Sequence, residues 1–151
     1  MKHTLNSKVS EIAVSYKTSV KPSEQFQITG SNDAEKVFRE IWSDDMELRE
    51  EFYMILLNRN SRVIGWYRIS QGGVNETSVD PKLVFSIALK CLASSIIVAH
   101  NHPSGSLTPS TTDKNITERL TQGAQILGMQ LLDHLIITKD SYYSFRESET
   151  T

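Results

Sequence analysis

A single cysteine among 151 residues excludes an internal disulfide and any cysteine-rich zinc site. No apolar run approaches the ~20 residues that a membrane-spanning helix requires. The opening residues 1–11 lack the apolar core of a secretory signal, so a cytoplasmic protein is expected. Charge of one sign is not in surplus. Sixteen Lys and Arg face eighteen Asp and Glu, a formal charge of −2, which withholds the electrostatic footprint of a nucleic-acid binder. Internal repeats and low-complexity tracts are also lacking. What is present is 38% apolar and 23% charged residues, the balance of a folded globular chain. The length matches one domain of ~150 residues, enough to bury about 70% of its unfolded surface.

The patterning interleaves strands and helices. Residues 9–16 alternate Ile12, Val14 and Tyr16 against polar neighbours and predict a strand. Residues 17–30 carry Pro22 and predict a loop, with a short extended piece at 26–28. Ser31, Asn32 and Asp33 can cap the start of a helix whose apolar stripe is Ala34, Val37, Phe38, Ile41 and Trp42. Two β-rich runs, 52–58 and 62–70, flank Arg59-Asn60-Ser61 as a hairpin. Gly72-Gly73 marks a turn. Asp80 caps a helix that Pro81 enters. Residues 95–99 are short and β-branched and predict a buried strand. Thr108-Pro109 opens a helix that Gly128 stops. Residues 131–138 and 142–145 complete the strands. The fold class is therefore α/β, around one mixed sheet flanked by helices.

Chemistry concentrates in Ala99–Asp113, AHNHPSGSLTPSTTD. His100 and His102 are two apart at a strand end, so both imidazoles leave the same face while Asn101 turns away. Pro103 and Gly105 bend the chain. The following helix presents Ser110 and Asp113, three apart on one face. Two histidines and one carboxylate leave a tetrahedral zinc position open for water, the pattern of a catalytic site. Each residue alone has a plainer reading: a hydrogen-bonded histidine, a solvated aspartate, a serine in a first helical turn, a capping Thr108. The joint spacing H-x-H-x7-S-x2-D on a strand–turn–helix frame makes the groups converge.

Three other chemistries fail on the residues present. His100-Asn101-His102 is a tripeptide, whereas an HNH nuclease spreads its residues over a ββα unit. A zinc deaminase needs His-x-Glu and a later Pro-Cys-x-x-Cys, but His102 stands where the Glu belongs and Cys91 is the only cysteine. Ser104 lacks the Gly-x-Ser-x-Gly elbow of a serine hydrolase.

The motif H-x-H-x7-S-x2-D, with His100-Asn101-His102-Pro103-Ser104-Gly105 and the later Leu132-Asp133-His134-Leu135, resembles the RadC-type branch of the JAB/MPN (JAMM) metalloprotease superfamily. The resemblance spans about residues 48–145. It implies a cytidine deaminase-like α/β fold; the residues ahead of it read as an N-terminal strand-loop-helix extension at 1–45, packed on a RadC-like JAB/MPN domain at 46–151. It implies one Zn2+ per chain on His100, His102 and Asp113, with water as the remaining ligand. A glutamate from an earlier element would act as general base, and Ser110 would stabilise the tetrahedral intermediate. Glu50 and Glu51 both qualify. Glu50-Glu51-Phe52 fits the family's Glu-x-Phe with Glu50, which shares a strand face with Phe52. Amide or isopeptide hydrolysis on a peptide or protein substrate follows.

The family was long labelled as DNA repair proteins, so DNA or repair proteins are the alternative partners. A non-catalytic, metal-binding adaptor or repair accessory module is the rival reading. Many RadC-type proteins place a helix-hairpin-helix module before the metal domain, and the ~45 residues here are too few for it plus a linker. Asp133 and His134 are candidates to orient the ligand imidazoles, or else a structural pair. Cys91, Trp42 and Trp66 read as packing residues. Arg59, Arg62 and Arg68 read as solvated. Gly72, Gly73 and Ser78 could line the cleft.

Overall fold

Residues 8–72 and 78–149 are described in the structure, a computed structural model. The opening heptapeptide and Gly73 lie outside them. The chain runs through α1 (Ser31–Ile41), β1 (Glu51–Leu57), β2 (Val63–Gln71), α2 (Pro81–Lys90), β3 (Ser95–Asn101), α3 (Thr111–Ile126), β4 (Gln130–Ile137), β5 (Tyr142–Ser144) and α4 (Phe145–Glu149). The strands form one sheet in the order β2-β1-β3-β4-β5. β3 and β4 are parallel, joined by α3, and the other neighbours are antiparallel.

Helices cover both faces of the sheet, which explains why β1 and β3 are buried along their whole length and read as unbroken apolar runs. One face packs Phe52, Met54, Leu56, Ile96 and Val98 against α2 and α3, through Val84, Phe85, Leu120 and Ala124. The opposite face packs Tyr53, Ile55, Leu57, Ile97 and Ala99 against Ala34, Phe38 and Trp42 of the α1 region. The two-residue pleat sorts the alternate side chains between these cores. β3 thus lies at the centre of the sheet, with its C-terminal end delivered between layers.

Several local expectations match the structure. Asp80 Oδ1 accepts from Lys82 N at 2.9 Å, with Pro81 in the first helical position. Gly128, at φ 70°, ends α3 in the left-handed region that glycine enters without strain. The 26–28 piece pairs with the start of β2, through Ile28 N to Ser61 O and Val63 N to Phe26 O, both 2.8 Å.

Three expectations do not hold. Residues 9–16 form no strand, and Ile12 is 81% exposed. A strand needs a paired edge, and the start of β2's outer edge is taken by 26–28. Tyr16 reaches it through its hydroxyl, which donates to Ile64 O at 2.8 Å. Asp33 does not cap α1. Gly30 is the N-cap, and the Asp33 carboxylate instead accepts from Thr29 N and Oγ1 at 2.8 and 2.6 Å. Phe145 is not in the last strand but starts α4, because Ser144 Oγ accepts from Glu147 N and turns the chain.

Candidate metal centre

β3 ends by pointing His100 to the same face as Ile96 and Val98. His102, just past the strand, stays in register because its N–H donates to Ile137 O of β4 at 3.1 Å. Gly105, at φ 88°, then turns the chain, with its N–H on His102 O at 3.0 Å. The helix that follows starts later than the Thr108-Pro109 pair suggests. Ser110 is its N-cap and Asp113 its third residue, joined in a capping box: Asp113 N donates to Ser110 Oγ at 3.0 Å, and Ser110 N donates to Asp113 Oδ2 at 2.8 Å. Ser110 therefore lies before the helix rather than on its face. The box still presents Asp113 and Ser110 to one cleft.

In that cleft His100 Nε2 is 3.0 Å from Asp113 Oδ1, and His102 Nε2 is 3.2 Å from Asp113 Oδ2. The two Nε2 atoms are 3.1 Å apart. Among the described residues, these three side chains form the group able to share a metal ion. Zinc at 2.0–2.1 Å from tetrahedral ligands holds them about 3.3 Å apart, so the spacing fits that ion. His102 Nδ1 donates to Ser106 O at 2.8 Å, so Nε2 is bare in the neutral ring and donates to Asp113 Oδ2 in the charged one. Burial pushes the Asp113 carboxyl up, but hydrogen bonds from His100 and His102 outweigh it and hold the group well below the usual carboxylate range. The hydrogen bond to Asp113 raises His102.

The cleft, about 440 Å³, is lined by Glu50, Phe52, Ser78, Ser110 and Arg119 besides the three candidate ligands. Glu51 faces the other way. Its buried carboxylate accepts from Ser43 Oγ and from Tyr53 Oη at 2.7 Å, with Arg68 at 3.8 Å. The structure thus brings Glu50, but not Glu51, to the cluster. Gly72 N donates to Glu50 O at 2.8 Å.

Of the two orienting candidates, His134 touches the site and Asp133 does not. His134 Nε2 lies 2.8 Å from His100 Nδ1. Burial drives His134 well below its ordinary value, aided by His100. Asp133 faces the opposite layer, where Ser144 Oγ at 2.6 Å and Arg146 N at 3.1 Å donate to it. Arg62 donates to Gln25 O at 2.7 Å, and Trp42 is buried in the α1 core while Trp66 is half exposed. Cys91 is half-buried against the α2–α3 core.

Two contributors escape a reading of the sequence. Asn101 does turn away from the cleft, but it is fully buried and ties down the chain before β1. It accepts from Glu51 N at 2.8 Å and donates to Met46 O and Arg49 O at 2.6 and 2.9 Å. Partners 50 residues away leave no local signal. Thr117 Oγ1 is 2.6 Å from His134 Nδ1. Its position one turn beyond Asp113 on α3 is the signal that could have found it.

A mixed sheet covered by helices, with a His-x-His pair at the end of its central strand and an aspartate opening the next helix, defines a JAB-type domain. The chain belongs to the RadC-like JAB family, whose family model matches residues 28–150. It is 43% identical over 119 residues to a UPF0758 protein of Flavobacterium johnsoniae, covering 79% of this chain and 51% of that protein. A UPF0758 protein of Porphyromonas gingivalis is 46% identical over 100 residues, covering 66% and 44%. One of Symbiobacterium thermophilum is 44% identical over 98 residues, covering 65% and 42%. The chain spans about half the length of the curated relatives it matches. The JAB superfamily includes metalloproteases and can bind zinc, and no helix among the described residues is long and apolar enough to cross a membrane.

Proposed function

We propose that this domain is a zinc-dependent hydrolase of the JAMM type that cleaves an amide or isopeptide bond in a peptide or protein substrate. The observation that carries the reading is the mutual approach of His100 Nε2, His102 Nε2 and the Asp113 carboxylate to within 3.0–3.2 Å of one another. Three groups rich in lone pairs repel at that distance unless a proton or a cation sits among them. His100, His102 and Asp113 would hold the ion. Bound there, zinc supplies an acidified water and a Lewis acid for the substrate carbonyl.

Glu50, in the wall of the same cleft, takes the proton of the attacking water and returns it to the leaving amine. Ser110 Oγ already accepts from Asp113 N–H, which orients the hydroxyl and leaves its own proton for the developing oxyanion. The acidic pair Glu50 and Asp113 suits an amide better than a polyanionic nucleic acid backbone.

Metal analysis and a peptidase assay on the purified chain test this. One zinc per chain is expected, with loss in His102→Ala and Asp113→Ala. Glu50→Gln is expected to keep zinc and lower hydrolysis of isopeptide-linked substrates by at least 100-fold, the scale of a lost general base. Hydrolysis that survives Glu50→Gln but not Glu51→Gln moves the base by one residue. Zinc-free protein, or salt-dependent DNA binding intact in His102→Ala with no hydrolysis, contradicts the reading and favours an accessory module.

A further inference from the structure

We propose that Arg119 is a specificity-determining residue of the cleft, whose guanidinium takes a carboxylate of a peptide that lies with one of its bonds at the candidate metal centre. In naming which bond is cut this rests on the reading just given. The carboxylate site itself rests on the placement and charge of Arg119.

α3 carries one long wall of the cleft. Thr112, Ile116 and Arg119 all line it and recur at the i, i+4, i+7 spacing of one helix stripe. Arg119 comes six residues after Asp113, so at ~1.5 Å per residue it stands roughly 9 Å further along the axis. An extended chain covers that span in about three residues, at ~3.3 Å each. Ile116 lies between the two ends on α3. With Val79 it gives the cleft an apolar wall that packs on the core of Phe52. A chain running along α3 therefore meets the carboxylate of Asp113 first, apolar surface next and a cation last.

Arg119 is the one lysine or arginine among the described residues that line the cleft. It is exposed, and its guanidinium has no hydrogen bond or ion pair among the described residues. Glu118, its neighbour on α3, accepts instead from Gln122 Nε2 at 3.4 Å. Arg119 also borders the groove between α2 and α3, where Lys82 joins it and no acid lies among the described lining residues. Cleft and groove thus meet at an unpaired guanidinium, with a second cation on the same groove. A guanidinium offers two parallel N–H groups to a carboxylate, and partial shielding by the walls strengthens the pair. An acidic side chain and the free end of a peptide both supply that group. A basic stretch of peptide is repelled there.

Fluorescence anisotropy of labelled peptides on the full chain tests this, in a Glu50→Gln background so that no probe is consumed. The first probe is the amide of Glu-Leu-Gly-Gly-Leu-Glu, the second carries Gln for both Glu, and the third is the second with a free C-terminal carboxylate. The first is expected to bind about 10-fold more tightly than the second, the scale of a charge-assisted hydrogen bond. A gain in the third alone places the carboxylate at a chain end. Arg119→Gln, a change at an exposed position, is expected to fold and to erase the preference. Arg119→Glu is expected to reverse it, in favour of a probe with Lys at both Glu positions, which a purely structural role would not do. Equal affinities for the three probes, no binding included, overturn the proposal, as does a preference unchanged in Arg119→Gln. So does a deoxythymidine oligonucleotide that binds more tightly than either carboxylate probe and loses that affinity in Arg119→Gln, which gives the guanidinium to phosphates. An Arg119-dependent preference in a chain whose wild type takes up no zinc supports the carboxylate site and removes the hydrolase reading instead. A zinc-loaded wild type that cuts acidic and neutral probes at equal kcat/KM keeps the hydrolase reading and overturns the carboxylate site.

Discussion

Asp113 serves the helix and the cleft with the same two oxygens. Oδ2 accepts from Ser110 N at 2.8 Å while facing His102 Nε2 at 3.2 Å, and Oδ1 faces His100 at 3.0 Å. A carboxylate fixed by a capping box has little freedom left to lose when it meets an ion. The histidine behind the site has a different signature. His134 is buried and neutral, with its affinity for a proton pushed well below the ordinary value of 6.5. Below pH 6.5 the unfolded chain therefore binds a proton that the folded chain refuses, and stability falls with pH by at most about 1.4 kcal/mol per unit. His102 acts oppositely: raised by Asp113, its contribution is complete below 6.5 and is lost as pH rises through its folded value. Chemical denaturation of the metal-free protein from pH 7 to 5 separates the two. The stability gap between wild type and His134→Gln is expected to narrow steadily as pH falls, whereas a constant gap contradicts neutral burial of His134.

At the scale of elements, the end of β3 organises three neighbours at once. His100 reaches β4 through His134, His102 joins the cluster with α3, and Asn101 between them anchors the chain entering β1. The alternation of a strand is what divides this work, and it made the pairing of His100 with His102 legible from spacing alone. The start of α3 was less so. Ser110 and Asp113 are spaced as an N-cap and third residue, but Thr108-Pro109 also offers an opening, and the capping box that Ser110 closes with Asp113 decides between them. Asn101 was opaque because its partners Met46, Arg49 and Glu51 are distant in sequence. Asn101→Ala strips three hydrogen bonds from a buried junction and is expected to destabilise the fold by roughly 2–4 kcal/mol. On the proposed function, zinc is expected to stay at one per chain, because none of the three candidate ligands is changed, while hydrolysis is expected to fall as the backbone on either side of Glu50 loses its ties to Asn101. Loss of zinc with unchanged stability contradicts this division of labour.

Across the whole molecule, the layered sheet was readable because β1 and β3 had to be covered on both sides, and their continuous apolar runs say so. Periodicity failed where it had no edge to pair with. Ile12, Val14 and Tyr16 alternate as a strand should, yet the first stretch of β2's outer edge is held by Phe26 and Ile28. Choosing Glu50 over Glu51 needed the pleat direction, which the Glu-x-Phe spacing supplied and the opposed cores of the sheet make physical. The proposed function then depends on one ion held by β3 and α3 together. Diffraction from crystals of the zinc-loaded chain, recorded on both sides of the zinc absorption edge, tests that dependence. The account predicts a single anomalous peak about 2.0–2.1 Å from Nε2 of His100, Nε2 of His102 and one Asp113 oxygen. A peak elsewhere, or none between these three side chains in an otherwise unchanged fold, contradicts it.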